Sequence, residues 1–176
     1  GPTAALTNAL RQREVNALFF GLGERLGRMP AEQARRLYRG QCLGSHGAVH
    51  KPHTKYRRWR QSIDESFAGI ETVLGRSAEG AWFRPPYGQR SKEMVTYARD
   101  RHESRIMLWN IDSQDWRREL NAEAVRNRLV TLVLLWRKGV ILFHEGHRKS
   151  VDATKGVYRF FRSNDAVIAD CHGVMG

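Results

Sequence analysis

The chain has 176 residues, 41% of them hydrophobic and 27% charged, an ordinary globular balance for one domain with a buried core. No apolar run approaches the roughly 18 residues that a membrane span requires, and residues 1–15 carry no basic start followed by an apolar block, so no signal peptide is visible. The formal charge of +12 favours either an anionic partner (nucleic acid, acidic polymer, membrane surface) or simply a basic solvated surface.

In chain order, residues 3–13 read as a helix with Leu6 and Leu10 on one face. Residues 16–22 read as a buried strand, 31–39 as a helix and 42–45 as a short strand. Residues 56–74 form a long amphipathic helix, with Trp59, Ile63, Phe67, Ile70 and Leu74 three or four apart. A strand at 81–84, a helix at 91–101 and a strand at 105–111 follow. Residues 121–136 are helical, 140–143 extended, 152–161 helical and 166–169 a last strand. This alternation predicts an α/β fold with parallel strands joined by helical crossovers. An open sheet and a barrel both fit, and the absence of GxGxxG after a strand weakens a dinucleotide-binding version. The basic residues are spread over helices, in RRLYR, KYRRWR and WRRE. The cysteines, Cys42 and Cys171, have no CxxC spacing, so two free thiols are expected rather than a disulfide or a cysteine-type zinc site.

The chemically capable residues fall just after the strands: His46 and His50, Arg84, Asp112 and Asp115, then His144. In parallel α/β folds the carboxyl ends of strands open on one face, where active sites lie. His46 and His50 are four apart, so on one helical turn both imidazoles would face one metal ion. Two surface histidines in a basic segment are the plain alternative. Arg84-Pro-Pro-Tyr-Gly88 reads as a stiffened turn carrying an arginine. Asp112-Ser-Gln-Asp-Trp116 is either a chemical pair of acids or an Asx-type cap for the next helix. His144 after an apolar strand is either functional or a satisfied core histidine.

Taken in order, these strings resemble the polysaccharide deacetylase family (the NodB-like domain, carbohydrate esterase family four). The family motif H-[ST]-x-x-H matches His46 to His50, except that Gly47 stands for Ser or Thr. R-x-P-Y matches Arg84, Pro86 and Tyr87; D-x-x-D-W matches Asp112, Asp115 and Trp116; L-x-H matches Leu142 and His144. The family's T-F-D-D-G-P motif would end at Gly1-Pro2. The expectation is therefore a single domain over residues 1–176 whose first strand, with two aspartates that the resemblance makes the catalytic base and a metal ligand, lies before Gly1.

The resemblance implies a distorted (β/α) barrel with parallel strands. It implies a divalent metal, usually zinc, held by His46 and His50, which polarises an acetyl carbonyl and activates water. Arg84 would orient the catalytic base. The backbone N–H of Tyr87 would help stabilise the oxyanion. His144 would protonate the leaving amine, held by Asp112, while Trp116 and Leu142 would line the acetyl pocket. The implied partner is an N-acetylated glycan of peptidoglycan, chitin or poly-N-acetylglucosamine type, outside the cytoplasm. Without the two aspartates, activity should be impaired. A glycan-binding pseudoenzyme of the same fold is the alternative. A nucleic-acid module would explain the charge but not the ordered motifs, and no recognition signature is present.

Overall fold

The computed structural model describes residues 1–175. The chain divides into two compact units: Gly1–Val15 with Trp109–Ala169, and Asn16–Leu108 with Asp170–Gly176. We call these the outer-segment unit and the central unit.

The central unit is built on short parallel strands. Strand β1 (Leu18–Gly21) pairs with β2 (Cys42–Ser45) in parallel, with Leu18 opposite Cys42 and Gly21 opposite Ser45. Single parallel bridges continue the layer from Ser45 to Phe83 and from Phe83 to Ile106. The parallel sense follows from the helices between the extended segments, since parallel neighbours require long crossovers. The helices are α2 (Gly23–Gly27), α3 (Ala31–Leu37), α4 (Trp59–Leu74) and α5 (Lys92–His102). Helix α4 buries Ile63, Phe67, Ile70 and Val73, which together with Leu43, Phe83 and Met94 form the core. Each such side chain contributes about 1.5–3 kcal/mol by leaving water. Helix α4 stops at Gly75, whose φ of 67° lets its N–H bond back to Glu71 O at 2.8 Å, the αL cap that glycine favours. Helix α5 starts at Ser91, whose hydroxyl accepts the Met94 N–H.

The outer-segment unit is mainly helical. Helix α1 (Pro2–Arg11) lies against α7 (Arg148–Ser163), and α7 against α6 (Ala122–Trp136). Its two-residue strands, β3 (Ile111–Asp112) and β4 (Ile141–Leu142), pair in parallel. Ile111, Val125, Leu129, Ala153 and Val157 form its core. Asn121 caps α6 by accepting the Ala124 N–H at 2.8 Å.

The α/β class with parallel strands agrees with the expectation from alternation. Three local expectations differ. Residues 166–169 are not a strand: Val167 is 95% exposed, and Ala166 instead donates its N–H to Phe161 O beyond the end of α7. The 105–111 segment breaks into a bridge at Ile106 and strand β3. The cysteines are not free thiols. A five-residue helix, α8 (Cys171–Met175), brings Cys171 to β2, and a disulfide joins it to Cys42 with the Cα atoms 6.1 Å apart. Asn16 holds this segment from β1's side, donating to Asp170 and accepting the Cys171 N–H at 2.8 Å. The disulfide closes 129 residues of chain, so its effect on the unfolded ensemble is large, about 4–5 kcal/mol in the chain-entropy picture.

Candidate active site

In the central unit, the loop after β2 carries His46 and His50. Its backbone is tied down at almost every residue. His46 donates its N–H to Gly21 O, while Gly47 O and Ala48 O accept the N–H groups of Gly23 and Glu24. Those two donors open α2 and have no partner inside it, so loop and helix end satisfy each other. The 46–50 segment is therefore a fixed loop and not the helical turn expected from i, i+4 spacing. The two rings nevertheless come together, with centroids 5.1 Å apart.

This pair passes a chemical test for a shared cation. His46 Nδ1 lies 2.5 Å from Arg84 O. A carbonyl only accepts, so Nδ1 carries the proton and the ring's lone pair sits on Nε2. A backbone carbonyl behind the ligand ring is the usual way a metal-binding histidine is oriented. Two imidazoles on one tetrahedral ion, at zinc–nitrogen distances of about 2.0–2.1 Å, would have ring centres about 5 Å apart. The observed spacing fits. The pair makes two ligands of the usual three, and no further His, Asp or Glu among the described residues joins it in a three-donor group. The three-donor group that does exist among them, Cys42, Cys171 and His172, has its sulfurs engaged in the disulfide.

Arg84 is buried and its guanidinium donates to Met107 O at 3.1 Å and Leu108 O at 3.3 Å, lying over the Phe20 ring. Burial lowers its pKa to about 10, so it remains a cation at neutral pH. The expected turn follows. Gly88 donates to Pro85 O at 2.9 Å, and Tyr87 is held at φ 59°, a conformation costly for a residue with a Cβ and typical of functional loops. The Tyr87 side chain is 57% exposed, with its ring centroid 4.5 Å from that of His50. Its motif marked the backbone N–H; the ring contact to His50 was not foreseen.

In the outer-segment unit, the acid that holds His144 is Asp115, not Asp112. Asp115 Oδ1 accepts from His144 Nδ1 at 2.6 Å, and Oδ2 accepts the His144 backbone N–H at 2.7 Å and the Ser150 hydroxyl at 2.5 Å. Asp115 is fully buried. Burial pushes its pKa up, but the bonds from His144 and Ser150 and the charge of His144 outweigh that and leave it below the ordinary carboxylate range. Asp112 turns its Oδ1 to the Gln114 N–H at 2.8 Å, an Asx-type turn; the cap of the next helix, its plain alternative, is made by Asn121 instead. The physical reason is spacing. Asp112 is still in β3 and caps the turn it opens, while Asp115 lies past that turn, against the start of α7. With Nδ1 committed to Asp115, Nε2 is the imidazole atom left to exchange protons. Leu142 is buried on β4 and Trp116 is 55% exposed.

The family model for polysaccharide deacetylase matches residues 1–102. Chitin deacetylase 2 of Saccharomyces cerevisiae is 26% identical over 98% of this chain and 56% of its own length. The Bc1960 peptidoglycan N-acetylglucosamine deacetylase has a TM-score of 0.84 at 25% identity, over 95% of this chain and 78% of that one. A pseudoenzyme of carbohydrate esterase family four from Bacillus anthracis has a TM-score of 0.77 at 22% identity, over 93% and 58% or less of the two chains, and shares the fold. The chain belongs to the polysaccharide deacetylase family, and its α/β architecture with short parallel strands is the family's distorted barrel class. It spans little more than half the length of the curated relatives it matches.

Proposed function

We propose that this chain supplies most of one catalytic domain of a metal-dependent hydrolase that removes N-acetyl groups from an amino-sugar polymer. The observation that carries the reading is the His46–His50 pair, with 5.1 Å between ring centroids and Nδ1 of His46 turned to a carbonyl. His46 and His50 would hold a divalent ion, zinc by the chemistry of imidazole donors. When bound, such an ion polarises the acetyl carbonyl and lowers the pKa of a water.

The chain's own residues supply the rest. Tyr87's strained backbone presents an N–H for the developing oxyanion, and its ring packs on His50. Arg84 fixes the segment that orients His46 and adds a positive charge. His144 protonates the departing amine from Nε2, oriented through Nδ1 by Asp115. Trp116 and Leu142 bound the acetyl methyl group. Asp112 serves the turn that places Asp115. The family resemblance assigns both constellations to one reaction. With two imidazole ligands and no base assigned, the 176-residue chain by itself turns over slowly.

Chitin and peptidoglycan, named for the relatives, are the substrate classes favoured here. The Cys42–Cys171 disulfide supports a compartment outside the cytoplasm, since such bonds persist where the environment is oxidising. Among the described residues no helix is long and apolar enough to cross a membrane. The experiment is acetate release from N-acetylglucosamine oligomers with zinc supplied, comparing the full protein containing this chain with its His144→Ala variant. Release lowered about 10²–10⁴-fold in the variant supports the assignment. Equal release by both overturns it. An inactive full protein that still binds the oligomer would favour the pseudoenzyme reading, which the fold shared with such a protein keeps in view.

A further inference from the structure

His53 lies outside every motif that points to the reaction, yet both of its ring nitrogens are held. It is buried to 1% exposure, three residues beyond His50. Its Nδ1 lies 2.7 Å from Lys51 O, so that nitrogen donates, and Nε2 accepts from the Ser62 hydroxyl at 3.0 Å. Ser62 Oγ in turn accepts the Ala48 N–H at 2.9 Å and the Val49 N–H at 3.4 Å. Desolvation by burial lowers the His53 pKa against a smaller opposing effect of the Lys51 carbonyl, which disfavours the charged ring, while the bonds to Lys51 O and Ser62 select the tautomer. A satisfied core histidine could bond to any neighbours. This one reaches, directly or through Ser62, the backbone at 48, 49 and 51, on both sides of His50.

Gly47 bears on the same point. Its φ is 76°, and a Cβ built there would lie 2.5 Å from His53 Nε2 and 2.7 Å from its Cε1. The second of these atoms belongs to a ring held at both nitrogens, so it has little freedom to retreat. The family motif places Ser or Thr at this position; here the ring of His53 fills the space that such a side chain would need.

We propose that His53 is a positioning residue for the His46–His50 pair: with Ser62 it clamps the backbone on both sides of His50, and Gly47 is glycine to admit its ring. The proposal rests on reading His46 and His50 as metal ligands, and its test separates the two. Zinc affinity of the 176-residue chain is measured by competition with a chromophoric chelator, with folding of each variant checked by circular dichroism. His50→Ala reports on the ligand reading. His53→Ala and Ser62→Ala report on the clamp. Ile63→Val trims the adjacent core without touching the loop's hydrogen bonds.

Polar groups behind metal ligands typically change affinity by about 10–100-fold. His53→Ala is expected at the lower end of that range, about tenfold weaker, and Ser62→Ala somewhat less. Ile63→Val should bind zinc as the parent does. Gly47→Ser should weaken binding in the parent but cost less in the His53→Ala background, where the clash is gone. Should His53→Ala fail to fold, Ser62→Ala and the Gly47→Ser variant carry the test. Zinc affinity unchanged in His53→Ala and Ser62→Ala, with His50→Ala impaired, overturns the clamp and leaves the ligand pair standing. Equal weakening by Ile63→Val also overturns it, by reducing the effect to stability. Unchanged affinity in His50→Ala removes the ligand reading, and the clamp with it.

Discussion

The two units hold their working histidines by the same device and with different chemistry. In the central unit His46 gives its Nδ1 proton to a neutral acceptor, the Arg84 carbonyl. In the outer-segment unit His144 gives its Nδ1 proton to the buried carboxylate of Asp115. Both arrangements place the proton on Nδ1 and the neutral ring's lone pair on Nε2. A carbonyl suits a ring that should stay neutral and offer a lone pair; a carboxylate suits a ring that cycles through the imidazolium during proton transfer. Tautomer control is thus common to both, and the charge of the acceptor is what distinguishes a ring suited to holding a cation from one suited to passing a proton.

The sharpest way to break this comparison is Asp115→Asn. The carboxylate's three hydrogen bonds cannot all be reproduced by an amide, which offers one oxygen acceptor. Activity of the full protein should fall by about 10²–10⁴-fold, with a stability loss of about 1–3 kcal/mol from poorly satisfied buried groups. Zinc affinity should not change. Asp112→Asn keeps the oxygen that accepts the Gln114 N–H and should cost far less activity. Comparable losses in the two variants would return Asp112 to the role first expected for it.

Next in size is the disulfide. Cys171→Ser should lower stability by about 2–5 kcal/mol, read from urea midpoints. Fraying should be seen first at α8 and around Asn16 by hydrogen exchange, with the outer-segment unit's α6 protected as before.

Acid should separate the units in a defined order. His53 has its pKa lowered in the folded state. The unfolded chain therefore takes up a proton first, and stability is lost as pH falls below about 6.5. Asp115 also has a lowered folded pKa, but its contribution is intact above about 3.9 and is lost only as pH falls further. Amide exchange at pH 7, 5 and 3 should show the 46–53 loop loosening before the contacts around Asp115. Simultaneous loosening would contradict this ordering.

The smallest effects are at the helix caps. Asn121→Ala and Ser91→Ala should each cost about 1 kcal/mol, one in each unit, measured by thermal melts. Neither should alter zinc affinity.

Much of this was legible in the sequence because it is local. The 3.6-residue spacing of Ile63, Phe67 and Ile70 located α4, and the placement of polar residues after strands located His46, Arg84 and His144. What escaped depends on tertiary approach. Asp112 and Asp115 are both acids in one short motif, and only the packing of Ser150 and the His144 backbone against Asp115 separates their roles. Cys42 and Cys171 are distant in sequence, so their pairing needed the docking of α8. The apolar run at 166–169 has strand composition but pairs with no strand among the described residues. His53 belongs to no motif, and its role depends on burial and on Ser62, nine residues away. The glycine at position 47, where the family pattern has a hydroxyl side chain, was the one signal that something bulky lay behind the loop.

The most direct measurement is the nitrogen-15 spectrum of the histidine rings of the 176-residue chain during zinc titration. Before metal, His46 should be protonated at Nδ1, and on addition of one equivalent the Nε2 resonance of His46 should move together with a ring resonance of His50. A His46 ring protonated at Nε2, or zinc that shifts neither histidine, would contradict the assignment of this pair as the metal-binding centre.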